Sequence, residues 1–456
     1  MIKKTYCLIA AIVALSACTE QSPKSEKPIE AIEIVEVNEL YYADPPPVRS
    51  YPSSMEEINE WIYTLDNEKI RAHAWDMWES ITTPTDVGLP VWETWYSGHE
   101  IFELDNQQER KIVRNFHFPT QFFHTSVLTN IPENPFERPT SFNRFTKSVA
   151  DVIWDRGFNK KSVLTSINDA FNANGTAVVD RQIQTSIDKV DQLSIVLKPV
   201  FQFISKDSIV AIPYWAGVSP QSTSDLTNPE PHTWKQFVVV DPSGQLPVGS
   251  LYTINGQEWP VVAIDDFYAI KLTEEDSINF SKFAAESGDN VGRNNQTDTT
   301  AIYSMVRPGN YALLVAMHVT GKEIPNWTWQ TFWWSPDNEN PVFGADRPAT
   351  IGTPWSNYNM RTAYYMVAPA GTEQGGEPLI SFNPYLETNL SGKTPTVLGD
   401  SVQWYGVFSN CMSCHRMAAY PKSFYTPNGF INPADPFRFS KNTKTDFLWS
   451  IPTRAN

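Results

Sequence analysis

Cysteine is scarce in this chain, with only Cys7, Cys18, Cys411 and Cys414 among 456 residues. A structural zinc site would need two more thiolates or a suitably spaced histidine pair, and no second CxxC exists to supply them. No apolar run is read here as a membrane span; the run over 6–15 falls well short of the roughly 20 residues a bilayer requires. Basic charge is in deficit, 35 Lys and Arg against 51 Asp and Glu for a formal charge of −16, which argues against nucleic acid or an anionic lipid surface as partner. Downstream of residue 415, Met417 is the only Met or His in the last 41 residues, so any other metal ligand of those two types comes from upstream.

What the chain does carry is Cys411-Met412-Ser413-Cys414-His415. Two thiols three positions apart, followed at once by an imidazole, suit covalent attachment of one haem c. Cys411 and Cys414 add to the two vinyl groups, and His415 binds the iron as proximal ligand. A thioredoxin-like thiol pair is the other reading of the spacing, and it leaves His415 without a role. Ser409 or Asn410 is placed to cap a short helix through Ala418, with Pro421 stopping it.

Lys3 and Lys4 precede the apolar run, the charge order of a secretory signal over residues 1–17. Leu15-Ser16-Ala17-Cys18 resembles the lipobox of bacterial lipoproteins, which implies cleavage before Cys18 and its acylation. Thr19, where an Asp would favour inner-membrane retention, points by the same resemblance to the outer membrane, on its periplasmic or cell-surface face. Two or more acyl chains give a stable anchor. Cys7 then leaves with the signal, Cys18 takes lipid and Cys411 and Cys414 take haem, so no thiol remains for a structural disulfide.

Residues 18–50 are acidic and end in Pro45-Pro46-Pro47, a composition that reads as a tether, with 32–37 able to form one short edge strand. A helix-containing region is expected over 51–180, a β-rich body over 181–400, and a haem attachment segment packed on that body over 401–456. Ser54 and Glu57 form a capping-box pattern ahead of one amphipathic helix, Asp66 or Asn67 precedes a second, and 161–172 and 274–286 read as two more. Runs rich in β-branched and aromatic residues over 194–203, 209–215, 237–240, 261–271 and 311–320 predict strands, while 287–300 reads as a surface loop without an EF-hand spacing. Strands and helices do not alternate regularly, so the expectation is an α+β fold: a mainly antiparallel sheet or sandwich, peripheral helices and a C-terminal haem-bearing helical segment.

Period-two spacing places Trp327, Trp329 and Trp333 on one strand face, where they either pack a core or stack on a sugar ring or haem. The iron is either five-coordinate or takes a sixth ligand from upstream, from among His73, Met77, His99, His117, His124, His232, Met317, His318, Met360 and Met366, with His318 the leading candidate. Met317 and His318 point to opposite faces of their strand.

The CxxCH segment resembles that of c-type cytochromes generally. More loosely, Pro90-Val91-Trp92-Glu93-Thr94-Trp95-Tyr96 and His318-Val319-Thr320-Gly321-Lys322-Glu323-Ile324-Pro325-Asn326-Trp327 look like segments of large bacterial cytochrome c domain lipoproteins that also end in this motif. That wider likeness covers most of the chain and imports no activity. The CxxCH resemblance, taken with the export signal and the lipobox, implies an exported, membrane-anchored monohaem cytochrome that transfers electrons, and the acidic composition suits a redox partner with a basic docking surface. Two other readings stay open: a haem enzyme, peroxidase-like or acting on a small molecule, with His318 and Arg361 handling protons, and a haem-based sensor or a module whose Trp face binds a glycan or partner.

Overall fold

The computed structural model describes residues 41–104, 114, 116, 140–185, 194–215, 234, 236–286, 306–337, 340–387, 392–393, 402–403, 408–421 and 428–456, all within one compact unit that spans 34–456. Cys7, Cys18, His117, His124, His232, the edge strand expected over 32–37 and the loop over 287–300 lie outside the described residues.

Ser54 accepts the Glu57 amide at 3.2 Å while the Glu57 carboxylate accepts the Ser54 amide at 3.1 Å, and this reciprocal cap starts α1, Met55–Thr64. Asp66 caps α2, Asn67–Thr82, through the Lys69 amide. Next come β1 (Tyr96–Ser97), α3 (Gly98–Phe102), β2 (Thr140–Ser141), β3 (Arg144–Phe145), α4 (Lys147–Asp155), α5 (Lys161–Ala173), β4 (Ile195–Ile204), β5 (Val210–Pro213), β6 (Phe237–Val240), β7 (Leu251–Ile254), β8 (Gln257–Val262), β9 (Ala269–Lys271) and α6 (Glu274–Glu286). The chain continues through β10 (Tyr311–Gly321), β11 (Thr328–Trp334), β12 (Tyr358–Thr362), β13 (Gly392–Lys393), β14 (Val402–Gln403), α7 (Cys411–Arg416), β15 (Ala419–Tyr420), α8 (Pro436–Phe439), β16 (Thr443–Lys444) and α9 (Ser450–Arg454).

The fold is α+β and mostly antiparallel. An eight-stranded sheet runs β1-β3-β4-β10-β11-β12, with β2 also on β4 and β9 also on β10, and a four-stranded sheet runs β5-β6-β8-β7. Among the described pairings between strands only β6 with β8 is parallel. Strands from 51–180 and from 181–400 thus share one ladder, through β3 on β4.

One core unites the two sheets and α2. Trp75 and Trp78 of α2 meet Phe332 of β11 at ring distances of 5.6 and 4.1 Å, and Ile212 and Val238 of the smaller sheet belong to the same buried cluster. A second core joins α4 and α5 to the C-terminal segment, through Ile153, Leu164, Trp329, Met412, Met417 and Phe447. Among the described residues no helix is long and apolar enough to cross a membrane.

The strand expected over 261–271 is two strands in different sheets. Asp266 turns back to accept the Ala263 amide at 2.9 Å, which ends β8 and sends the chain across to β9. The helix that carries the motif closes at Arg416, short of Ala418 and well before Pro421, because Ala419 and Tyr420 pair with β16.

Candidate functional site

Asn410 fixes the start of α7. Its side-chain oxygen accepts the Ser413 amide at 2.9 Å, and its amide nitrogen donates to the carbonyls of Tyr365 and Leu379 at 3.1 and 2.9 Å. Met412 is buried in the second core and Ser413 donates to the Gly429 carbonyl at 2.8 Å, so the opposite sides of the helix are tied to protein. Cys411 and Cys414 are both free thiols on one turn, and Cys411 Sγ lies 3.6 Å from the Ser381 carbonyl oxygen. Burial pushes both thiols up from their ordinary range, and the nearby Glu387 carboxylate adds to the shift.

His415 is set by the backbone of a neighbouring turn. Its Nδ1–H donates to the Phe447 carbonyl oxygen at 2.8 Å, which places the available lone pair on Nε2. Burial holds its pKa down to about 3, with His318 and Lys198 adding smaller effects of the same sign, so the ring is neutral at ordinary pH. Asp446 and Phe447, which form that turn, both take left-handed backbone angles, φ 49° and 68°. The Asp446 carboxylate holds the turn by accepting from Lys322 Nζ at 2.6 Å and from the amide and hydroxyl of Thr185 at 3.1 and 2.8 Å.

The β register places Lys198, His318, Thr331 and Arg361 directly opposite one another across β4, β10, β11 and β12. They therefore share one face of the large sheet. His318 is held at both ring nitrogens, 2.8 Å from Thr331 Oγ1 and 2.6 Å from Glu387 Oε1. Binding iron through Nε2 would require His318 to give up Glu387. Trp329, two residues before Thr331 on β11 and so on the same face, packs on His415, and this row therefore borders α7.

The other upstream candidates fall elsewhere. His73 is fully buried, with Nδ1 2.6 Å from the Tyr364 hydroxyl and Nε2 2.9 Å from Glu323. Met77 packs against Gln330 beneath the sheet, and Met317 and Met360 lie on that same inner face, in the core under α2. His99 of α3 pairs at 2.6 Å with Glu103 just past the helix end, and Met366 joins the core cluster of Met412 and Trp329. Met417, two residues beyond His415, has its sulfur 3.7 Å from Arg438.

Trp329 and Trp333 do share a face, and both are buried; Trp327 precedes the strand at φ 61° and is also buried. Trp329 packs on His415 at a ring distance of 4.4 Å, and Trp333 meets Trp215 and Phe343. None of the three indoles forms a surface platform.

Glu387, Phe447 and Asp446 are site residues that motif reading did not find. The first lies 24 positions before Cys411 with no pattern linking them, the second acts through a main-chain oxygen, and the third acts only by holding that turn.

The donor set meets the requirements of covalent haem: two unpaired thiols on one helical turn and a neutral imidazole whose second nitrogen is fixed by a carbonyl. Among the described residues no cluster of three or more His, Cys, Asp or Glu side chains is arranged to hold a bare metal ion. No protein-family model, no curated protein and no solved structure matches this chain.

Proposed function

We propose that the protein is a monohaem c-type cytochrome that transfers electrons outside the cytoplasm, anchored to the outer membrane through acylated Cys18. The observation that carries this reading is the His415 to Phe447 hydrogen bond within a CxxCH helix, because it fixes the ring tautomer and orientation that an iron ligand needs. Haem c bound there supplies a one-electron iron centre. Cys411 and Cys414 would hold it by thioether bonds, which prevents its loss outside the cell. His415 would be the proximal ligand. The buried aromatic neighbours Trp329 and Phe447 exclude water on that side. The acidic chain suits a redox partner whose docking surface is basic.

A second reading, a haem enzyme with an open distal side, is favoured by one observation. His318 is committed to Glu387 and Thr331, an arrangement suited to moving a proton rather than to binding iron. Visible spectra of the holoprotein with and without cyanide or carbon monoxide separate the two. A low-spin iron indifferent to either ligand supports the relay. A high-spin iron that binds them, with turnover on peroxide, supports the enzyme.

A further inference from the structure

We propose that Arg361 is the docking point for an oxyanion of the carboxylate class, bound beside α7 on the face of the large sheet that carries His318 and Thr331.

Among the described residues Arg361 is a cation without a counter-ion. Its Nη1 donates to the Ile380 carbonyl at 2.9 Å, and its guanidinium lies over the rings of Phe343 and Phe382 at 4.9 and 5.3 Å. Nε is buried with no hydrogen-bond partner, and no carboxylate among the described residues lies within ion-pair distance. The charged neighbour that acts on it is Arg71, of the same sign and already paired with Asp346. Elsewhere in the molecule Arg114 has Glu93, Arg71 has Asp346 and Lys322 has Asp446.

A largely buried charge of this kind is costly until an anion joins it. With Nη1 taken, the edge left is the one that carries Nε and Nη2, two parallel N–H groups at the spacing of a carboxylate's two oxygens. Burial and Arg71 bring its pKa only to about 10, so the group is cationic at neutral pH.

The position of this fork relative to α7 follows from the chain. Ile380 precedes Ser381, whose amide donates to the Ser409 carbonyl at 2.8 Å and whose own carbonyl accepts from Cys411 Sγ. Thr331, directly across the ladder, is hydrogen-bonded to both His318 and Asn383. Two sources offer the required chemistry: a propionate arm of haem, which rests on the cytochrome reading, and a small free oxyanion, which does not.

The test begins with the mass of the wild-type chain, which reports covalent haem independently of this site. Reduction potential and affinity for acetate, formate and nitrate are then measured for wild type and Arg361→Gln. A lower potential in the variant, restored by Arg361→Lys, with no anion binding by either protein, identifies the propionate. Binding of a free oxyanion that weakens tenfold or more in the variant identifies a small ligand, and this arm holds even for a chain without haem. A folded Arg361→Gln that matches wild type in both respects overturns the proposal. Should that variant fail to fold, arginine-directed dicarbonyl labelling of wild type made with and without haem maturation decides. Protection of Arg361 by haem or by added oxyanion supports the site, and no protection, or no labelling in any form, overturns it.

Discussion

His415 and Phe447 are joined by a 2.8 Å hydrogen bond from the imidazole Nδ1–H to a main-chain carbonyl, and the residue that presents this carbonyl has a left-handed backbone. The turn is held in that conformation from outside, by the Asp446 carboxylate and its bonds to Lys322 and Thr185.

Replacing Asp446 by Ala leaves the nearly buried Lys322 ammonium without its anion and releases the turn. A stability loss of about 3–5 kcal/mol is expected in denaturant titration. Replacing both partners, Lys322→Met with Asp446→Leu, is expected to cost clearly less than the sum of the single changes, because no charge is stranded. Equal costs in the single and double variants would contradict this assignment.

Trp78 stacks on Phe332 at 4.1 Å and donates its indole N–H to the Trp355 carbonyl at 3.1 Å. Trp78→Ala opens a cavity between α2 and the large sheet and is expected to destabilise the fold by about 3–5 kcal/mol, read as a lower denaturation midpoint at an unchanged slope.

Glu387 holds His318 by the nitrogen through which that ring would reach a metal. In the haem-loaded protein, Glu387→Ala is expected to release the ring, raise the low-spin fraction and weaken carbon monoxide binding about tenfold, or ~1.4 kcal/mol. An absorption spectrum and ligand affinity unchanged from wild type would show that His318 does not compete for the iron.

Lys444 is buried, donates to the carbonyls of Val178 and Pro433, and has its pKa pushed down to about 8 by burial, with Arg416 and Arg181 contributing. Between that value and the ordinary lysine pKa the unfolded chain binds a proton that the folded chain does not. Stability therefore rises with pH from about 8 to 9.5. Lys444→Met is expected to flatten that slope, and a wild-type stability that falls over the same interval would contradict the argument.

Local signals served where a short stretch decides its own structure. Ser54 with Glu57, Asp66 before α2 and the apolar run of β6 each carry their cause within a few residues. The 261–271 run misled because its β-branched residues continue past Asp265 and Asp266, and only the Asp266 turn separates the two strands. β12 was not legible, since Arg361 and Thr362 interrupt its pattern and its place is given by pairing with β11. At the site, Cys411, Cys414 and His415 announce themselves by spacing. Glu387 and the Phe447 carbonyl do not, because their roles come from contacts that the tertiary fold alone makes.

The central claim is settled most directly by the intact mass of the mature chain after expression beside a cytochrome maturation apparatus. Wild type should carry the added mass of one haem that survives acid extraction, and Cys411→Ser with Cys414→Ser should carry none. A wild-type chain at its bare polypeptide and lipid mass, or a double variant that still holds covalent haem, would contradict it.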